Sequence, residues 1–596
     1  MSVTAPQTFP LSPARLTLGL VILWPSLIRP SSAQVLQSQQ PGLNPARPAI
    51  EPPRIIQPPS IQPLPGLDPE PLPPPPLEDL RLPTPLPTPE TPGIPETVKV
   101  EQFVLQGSQV FSQEEVNKAT KDLIGRELTF AELLQAAEAI TQLYVDRGYI
   151  TTGAYLPADV TIQNGIVPIQ VVEGEVAEED IRIRFKEGTR HRLNPNYIRS
   201  RLALATRKPL NRQKLLEAIQ LLQINPLIQD IRAELAAGTR PGQSVLDVEV
   251  SEGKTLNASL LLDNGRSPSV GSFRRQLQAN TLNLTGIGDQ LLVAFTNTNG
   301  SNAGDLSYTF PLNPRNGTLS FNFGIAASKI IEEPFDILDI RSSFRYYELS
   351  FRQPILQTPT REFALGLTLT REESKATIID GEIPFPVPGS DFEGRTVANV
   401  LRFFQDWTRR SERSVLALRS QFSFGLPILG YTDNESAPDG QFFAWRGQAQ
   451  LARILAPDTL LFLRGDIQLA DRPLIPIEQF GLGGPSTVRG YRQDALLSDN
   501  GILASAEVRI PIWRIPSING LLQVTPFIDF GTTWNRSSEP EPDPNTLASI
   551  GLGLRLQISD RLNARFDWGH RLIPIEGEKK TLQEKGLYFS LIYSFF

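Results

Sequence analysis

The chain has 596 residues, no Cys and only two His, His191 and His570. That excludes a disulfide scaffold, a thiolate metal site and a thiol nucleophile, and leaves too little imidazole for a Ser-His-Asp triad or a His-rich metal centre. Lys and Arg number 57 against 64 Asp and Glu, a net charge of −7, which is no footprint for nucleic acid. No cofactor or metal is expected, and no G-x-S-x-G or Walker sequence points to an enzyme.

Residues 16–28, LTLGLVILWPSLI, follow Arg15 and precede Ser31-Ser32-Ala33. A positive flank, a short apolar run and small residues at a cleavage point read as an export signal over 1–33. The run is shorter than the about 20 residues that a spanning helix needs. Residues 34–96 carry much of the excess of the 54 Pro. Proline lacks an N–H and fixes φ, so this stretch reads as an extended, disordered linker. A PxxP ligand for a partner is the alternative reading.

Globular composition starts near Val98. VKVEQFVLQG reads as a strand. Ser112, with Glu115 three residues on, caps a helix over 113–124. A second helix spans Phe130–Asp146, with Leu133, Ala137, Ile140 and Tyr144 on one face. Two strands follow around a tip at Asn164-Gly165. The β-α-α-β-β order then recurs, with helices at 195–204 and 211–223, the second capped by Asn211. A shared order at a spacing of roughly 75 residues is a duplication signal. The two modules are placed at 97–175 and 176–253. Neither has a catalytic constellation; an open sheet edge instead suits strand addition by an extended peptide.

From 254 to 596 the period is two. Leu319, Phe321, Phe323 and Ile325 oppose Ser320, Asn322 and Gly324; Leu461, Leu463, Ile467 and Leu469 oppose Arg464, Asp466 and Gln468. A soluble β-sandwich also alternates. Segments of about 9–11 residues with a charged second face fit a membrane barrel with a wet lumen better. At roughly 21 residues per strand and connection the region holds about 16 antiparallel strands. Trp407, Trp445, Trp513, Trp534 and Trp568 are candidates for interfacial girdles.

Phe480–Gly501, FGLGGPSTVRGYRQDALLSDNG, does not read as a strand. It reads as a loop, folded into the lumen with Arg489 at its tip. Asp529 shares a face with Gln523 and Thr525 and is a candidate partner for that charge.

Val488-Arg489-Gly490-Tyr491 resembles the VRG[YF] motif of the Omp85 superfamily. Phe527-Ile528-Asp529-Phe530-Gly531 resembles its F-x-D-x-G strand motif, here Phe527, Asp529 and Gly531. The two modules resemble POTRA domains, and residues 224–253 and 262–271 resemble the corresponding part of two-partner secretion transporters of the ShlB/FhaC/HecB (haemolysin secretion/activation) type. The resemblance covers about 97–596. It implies an outer-membrane barrel with periplasmic POTRA domains that binds an unfolded secreted polypeptide and exports it. It also implies contact of the loop Arg with the strand Asp. Expected partners are that polypeptide, outer-membrane lipid and the machinery that inserts the barrel; no nucleic acid is expected, and the chain is expected to be monomeric. Phe595-Phe596 fits a barrel-assembly signal. Family members often carry an N-terminal plug helix, for which this Pro-rich N-terminus offers no good candidate. An Omp85-type factor that inserts other barrels is the alternative; a plain porin would leave the two modules and the Arg-bearing loop unexplained.

Overall fold

A computed structural model describes residues 97–596 apart from 158–161, 163, 188–190, 436, 537–540, 576–580 and 596. The export signal, the Pro-rich linker, any plug before Val98 and Phe596 lie outside the described residues.

The first module contains β1 (Gln102–Gln106), α1 (Gln113–Ala119), α2 (Phe130–Asp146), β2 (Gly153–Tyr155) and β3 (Ile166–Val172). The second contains β4 (Ile181–Phe185), α3 (Pro195–Leu202), α4 (Arg212–Gln223), β5 (Ile228–Ala237) and β6 (Ser244–Glu252). In both, the last strand is central, parallel to the first and antiparallel to the middle one. The helices cover one sheet face in each, around Phe103, Leu133, Ile140 and Ile169 in the first, and Ile198, Leu215, Ile219 and Val248 in the second.

Helix ends follow the side-chain chemistry. Ser112 and Glu115 form a capping box, and so do Thr129 and Glu132. Glu115 accepts the Ser112 N–H and pairs with Arg147, which holds its carboxyl down to about 2. The helix expected over 113–124 stops at Ala119 and continues as a 3-10 turn. Thr120 turns its hydroxyl onto the Val116 carbonyl, competing with the helical ladder. Asn211 caps α4 through the Gln213 N–H and also donates to the Arg147 carbonyl at 3.1 Å, so one side chain ties the two modules together.

The second module docks against one end of the barrel, hereafter the near end. Asn194 N–H donates to the Gly286 carbonyl at 2.8 Å, and Arg201 donates to Asn316 at 2.9 Å.

The barrel closes from sixteen antiparallel strands, the first Leu256–Asp263 and the last Leu587–Ser594. Alternation sorts its faces. Phe321, Ile325, Leu367 and Leu369 are exposed on the outside, while Asn322, Thr368, Asp466 and Gln468 are buried on the inside. Trp407 and Trp513 sit in the near halves of their strands; Trp445, Trp534 and Trp568 sit in the far halves. Phe595 lies on the outer face and donates its N–H to the Ala258 carbonyl.

Two expectations need correction. The strands run from 8 to 18 residues rather than 9–11. Arg341–Gln357 and Arg361–Ile378 carry Arg341, Arg345, Arg371, Glu373 and Lys375 on their outer faces toward the far end, and Arg395–Ser411 begins there with Arg395, so pairing continues past the apolar band. The interior is also not polar throughout. At the far end Val270, Ile330, Ile340, Phe442, Leu474 and Ile477, drawn from several connections, pack into one apolar cluster.

The closing seam is short. Ser590–Ser594 pair with Ser259–Asp263, fewer residues than in any other pairing of full strands. Beyond it one backbone bond remains, from the Asn264 N–H to the Phe589 carbonyl at 3.3 Å, and the Asn264 side chain adds two: its amide donates to the Leu587 carbonyl and its oxygen accepts the Phe589 N–H, each at 2.9 Å. Gln583 in turn donates to the carbonyls of Asn264 and Arg266. Asn264→Ala removes two hydrogen bonds worth about 1 kcal/mol each. The folded, fast-migrating form on semi-native electrophoresis should then convert at a temperature several degrees lower; an unchanged transition would show that the seam holds without this clasp.

Candidate functional site

After the strand Thr459–Ala470 the chain turns back into the barrel. The Gly-rich segment contains a short antiparallel hairpin, Phe480–Leu482 with Leu496–Ser498, where no strand was expected. Apolar residues at its base explain it: Phe480, Leu482, Val488, Tyr491 and Leu496 pack against Leu503 and Leu547 of the wall. Only the tip, with its glycines, is irregular.

That tip brings together the residues singled out in the sequence. Arg489 is 4 % exposed and Asp529 is fully buried. The Arg489 guanidinium donates to both Asp529 carboxylate oxygens, Nε to Oδ2 at 2.7 Å and Nη2 to Oδ1 at 2.9 Å. Its backbone N–H reaches the same carboxylate at 3.1 Å. A bidentate pair with a third donor fixes the loop in orientation as well as position. The guanidinium also lies over the Phe527 ring, 3.4 Å from its centroid, an attractive cation–π contact.

Two of the glycines have steric reasons. Gly490 has φ near +100° and sits against Gly569 of a wall strand, where a Cβ on Gly569 would come within 2.6 Å of the Gly490 nitrogen. Gly531 leaves room for Leu482, whose methyl would lie 2.6 Å from an added Cβ. Val488 is fully buried in the apolar base. The Tyr491 hydroxyl lies 2.8 Å from the carbonyls of Ala548 and Ile573, fastening the loop to the strand Thr546–Ile558 and to the outer connection that follows Leu562–Arg571.

Several partners were not found from sequence. Glu507 accepts from Arg489 Nη1 at 2.6 Å, from Arg565 at 2.6 Å and from Arg509 at 3.2 Å. Arg565 continues to Asp567 at 2.6 Å. Arg489, Arg509 and Arg565 thus face Asp529, Glu507 and Asp567, and Arg464, which also donates to the Ser486 carbonyl, adjoins them with Arg446 and Asp466. Tyr588 on the last strand accepts the Gly490 N–H at 2.9 Å and donates to the Tyr491 carbonyl. Arg492 pairs with Glu332 at 2.7 Å and with Glu584 at 3.3 Å, both on far-end connections. The alternation of Ser505, Glu507 and Arg509 was a usable signal for lumenal charge. Tyr588, the one aromatic on the inner face of the last strand, was another. Neither pattern names a partner.

A closed barrel with an inturned loop pinned by Arg489, standing on two small α/β modules, defines an outer-membrane β-barrel transporter with a POTRA region on its periplasmic side. The chain belongs to the haemolysin secretion/activation protein ShlB/FhaC/HecB family, whose model matches residues 242–556; the ShlB-type POTRA domain model matches 98–174. The heme/hemopexin transporter protein HuxB of Haemophilus influenzae (strain 86-028NP) is 22 % identical over 487 residues, covering 77 % of this chain and 80 % of that protein. The outer membrane transporter CdiB of Escherichia coli is 22 % identical over 501 residues, 82 % of this chain and 81 % of CdiB. The solved fold of Escherichia coli CdiB superposes with a TM-score of 0.65 at 20 % identity, covering 85 % of this chain and 93 % of that one. CdiB from Acinetobacter baumannii gives 0.60 at 16 %, covering 85 % and 91 %. This is therefore an outer-membrane transporter of the two-partner secretion type, with its near end in the periplasm.

Arg489→Ala leaves Asp529 and Glu507 buried without their shared cation. Breaking a buried pair on one side costs about 3–5 kcal/mol, reduced where water reaches it. The barrel should still assemble, with the loop released: protease should cut within 484–494 in the variant and not in the parent. Reversal of both charges, Arg489→Asp with Asp529→Arg, should restore protection only in part, because Asp at 489 would then face Glu507. Full restoration would show that Glu507 does not share the arginine.

Proposed function

We propose that this transporter captures an unfolded partner polypeptide at the free edges of its POTRA-type sheets and passes it through the barrel to the cell surface. The observation that carries the reading is the pairing of two features in one chain: a long free sheet edge on the periplasmic side, and a barrel whose interior is lined by charged side chains. In the second module β5 is an edge strand of ten residues. It offers unpaired N–H and C=O groups to an extended chain, whose own backbone would complete the ladder whatever its sequence. The first module offers only five residues on β1 and three on β2.

The lumenal loop acts as a movable partition. Arg489, Glu507 and Asp529 hold it across the lumen through ion pairs, which water and a passing polar chain can replace, whereas a purely apolar anchor has no such alternative partner. The named relatives are a heme/hemopexin transporter and an outer membrane transporter. The cargo proposed here is a haemolysin- or adhesin-like protein, recognised through backbone pairing. No nucleotide or metal takes part in this scheme.

In a strain lacking the gene, one large secreted protein should vanish from the medium while other outer-membrane barrels stay at parental levels. Broad loss of other barrels would overturn the reading in favour of an assembly factor. Within the intact protein, Arg489→Ala should lower secretion with the barrel still in the membrane.

Proline distinguishes the capture edge. Successive residues of β5 direct their N–H groups alternately into the sheet and toward the free edge, so Arg232→Pro and Ala233→Pro remove donors of opposite kind. One variant should destabilise the module. The other should leave it folded and abolish capture of the secreted partner; capture by both at parental level would exclude β5 as the docking edge.

A further inference from the structure

The outer surface of the barrel is electrostatically lopsided. Three consecutive long strands and the one before them, Thr318–Lys329, Arg341–Gln357, Arg361–Ile378 and Arg395–Ser411, turn Lys329, Arg341, Arg345, Arg371, Lys375 and Arg395 outward in their extracellular halves. The outward face of the same stretch holds one carboxylate, Glu373. On the strands from Ser414–Gly425 through Leu587–Ser594 the outward positions at this end include Phe424, Phe443, Leu469, Ile502, Phe530 and Trp568, with no Lys, Arg, Asp or Glu among the described outward positions there; on the strands before Thr318–Lys329 the outward cation at this end is Arg275, which lies over the Phe273 ring.

The register makes the patch continuous. Lys329 lies opposite Arg341, Arg345 opposite Glu373, and Lys375 opposite Arg395. Directly opposed like charges on neighbouring strands repel. Some of this charge is already met. Glu373 takes Arg345 and Arg371; Asp339 takes Lys329 and Arg341; Asp380 takes Arg341; Asp391 and Glu393 take Arg395. Lys375 makes no ion pair among the described residues, although it is exposed and stands opposite an arginine.

The patch also has an apolar floor. One outward position below Arg345 is Tyr347, 38 % exposed, and one below Arg371 is Leu369, 42 % exposed; Leu349 and Phe351 continue downward. Successive outward positions on a strand are about 7 Å apart. The cations therefore begin one step above the apolar band and stand where lipid head groups meet the barrel.

We propose that this wall is a docking surface for a phosphorylated, multiply acylated lipid of the outer leaflet. Its phosphate groups sit between Lys375, Arg395 and Arg345, and its acyl chains lie along Tyr347, Leu349 and Leu369. An anion between Lys375 and Arg395 turns their repulsion into attraction. Such a lipid holds the wall that carries the longest strands at a fixed depth.

The test uses the full-length protein in detergent micelles, titrated with bis-phosphorylated lipid A and followed by native mass spectrometry. Lipid A should bind, its dephosphorylated form should bind about tenfold or more weakly, and the phosphorylated form should lose affinity as salt is raised. Lys375→Ala with Arg395→Ala should weaken binding about tenfold or more. The charge-preserving pair Lys375→Arg with Arg395→Lys should retain it. Heat modifiability of each variant reports that the barrel is intact. Equal binding of both lipid forms, or parental affinity in the double alanine variant, would overturn the proposal. Displacement of lipid A by millimolar inorganic phosphate would also overturn it, by showing a site for a soluble anion instead.

Discussion

In hydrocarbon no water satisfies an unpaired backbone N–H or C=O, so a sheet that crosses the bilayer must close on itself. The other features of this protein are arranged around that closure. Fifteen of the sixteen strand junctions follow chain order and form between neighbours in sequence. The sixteenth joins Leu256–Asp263 to Leu587–Ser594 across the whole barrel, and it is the shortest. Its outer continuation depends on side chains. Asn264 imitates a strand by offering one donor and one acceptor, and Gln583 holds Asn264 in place. The last strand has a second attachment on its inner face, where Tyr588 binds the backbone of Gly490 and Tyr491. The lumenal loop and the closing seam are therefore linked through one strand.

The loop shows how a charge is made tolerable in the middle of a membrane protein. Arg489 is buried, but its surroundings supply a bidentate carboxylate, a second carboxylate and an aromatic face. Cations and anions alternate through the cluster, and Asp529, Glu507 and Asp567 each have an arginine partner. This is a polar lock on an otherwise apolar plug: Val488 and Tyr491 flank the arginine and pack in the base of the loop. The apolar part gives the loop a preferred position, and the ion pairs give it an orientation. A lock of this kind can exchange its partners for water or for a polar chain, which is the property a transport lumen requires.

The two ends of the barrel differ for physical reasons. At the periplasmic end the second module is fastened by hydrogen bonds from Asn194 and Arg201 to barrel turns, and its β5 edge remains open. At the extracellular end, apolar residues from the connections pack together over the lumen. Under the proposed function, an extended polypeptide entering from the periplasm would meet hydrogen-bonding surface first, then ion pairs, then an apolar layer.

Local patterns in the sequence determined the element types. Period-two alternation marked the barrel and its lumenal face because side chains of a strand point alternately to its two sides. Capping residues and apolar spacing placed α2 and α4, whose bounds depend on neighbours within four positions. The short motifs marked Arg489 and Asp529 because a charge in an otherwise Gly-rich or apolar run needs a partner. What depends on distant parts of the chain was decided only by the tertiary structure. Glu507, Tyr588 and Gly569 converge on the loop tip from three strands whose order around the barrel no local pattern contains. The hairpin within the Gly-rich segment exists because the wall at Leu503 and Leu547 gives its apolar residues somewhere to pack. The length of the strands past the apolar band, and the gathering of cations on one wall, follow from strand register. Register is a relation between strands, set by pairing along their whole length, and a single strand's sequence carries only its half of it.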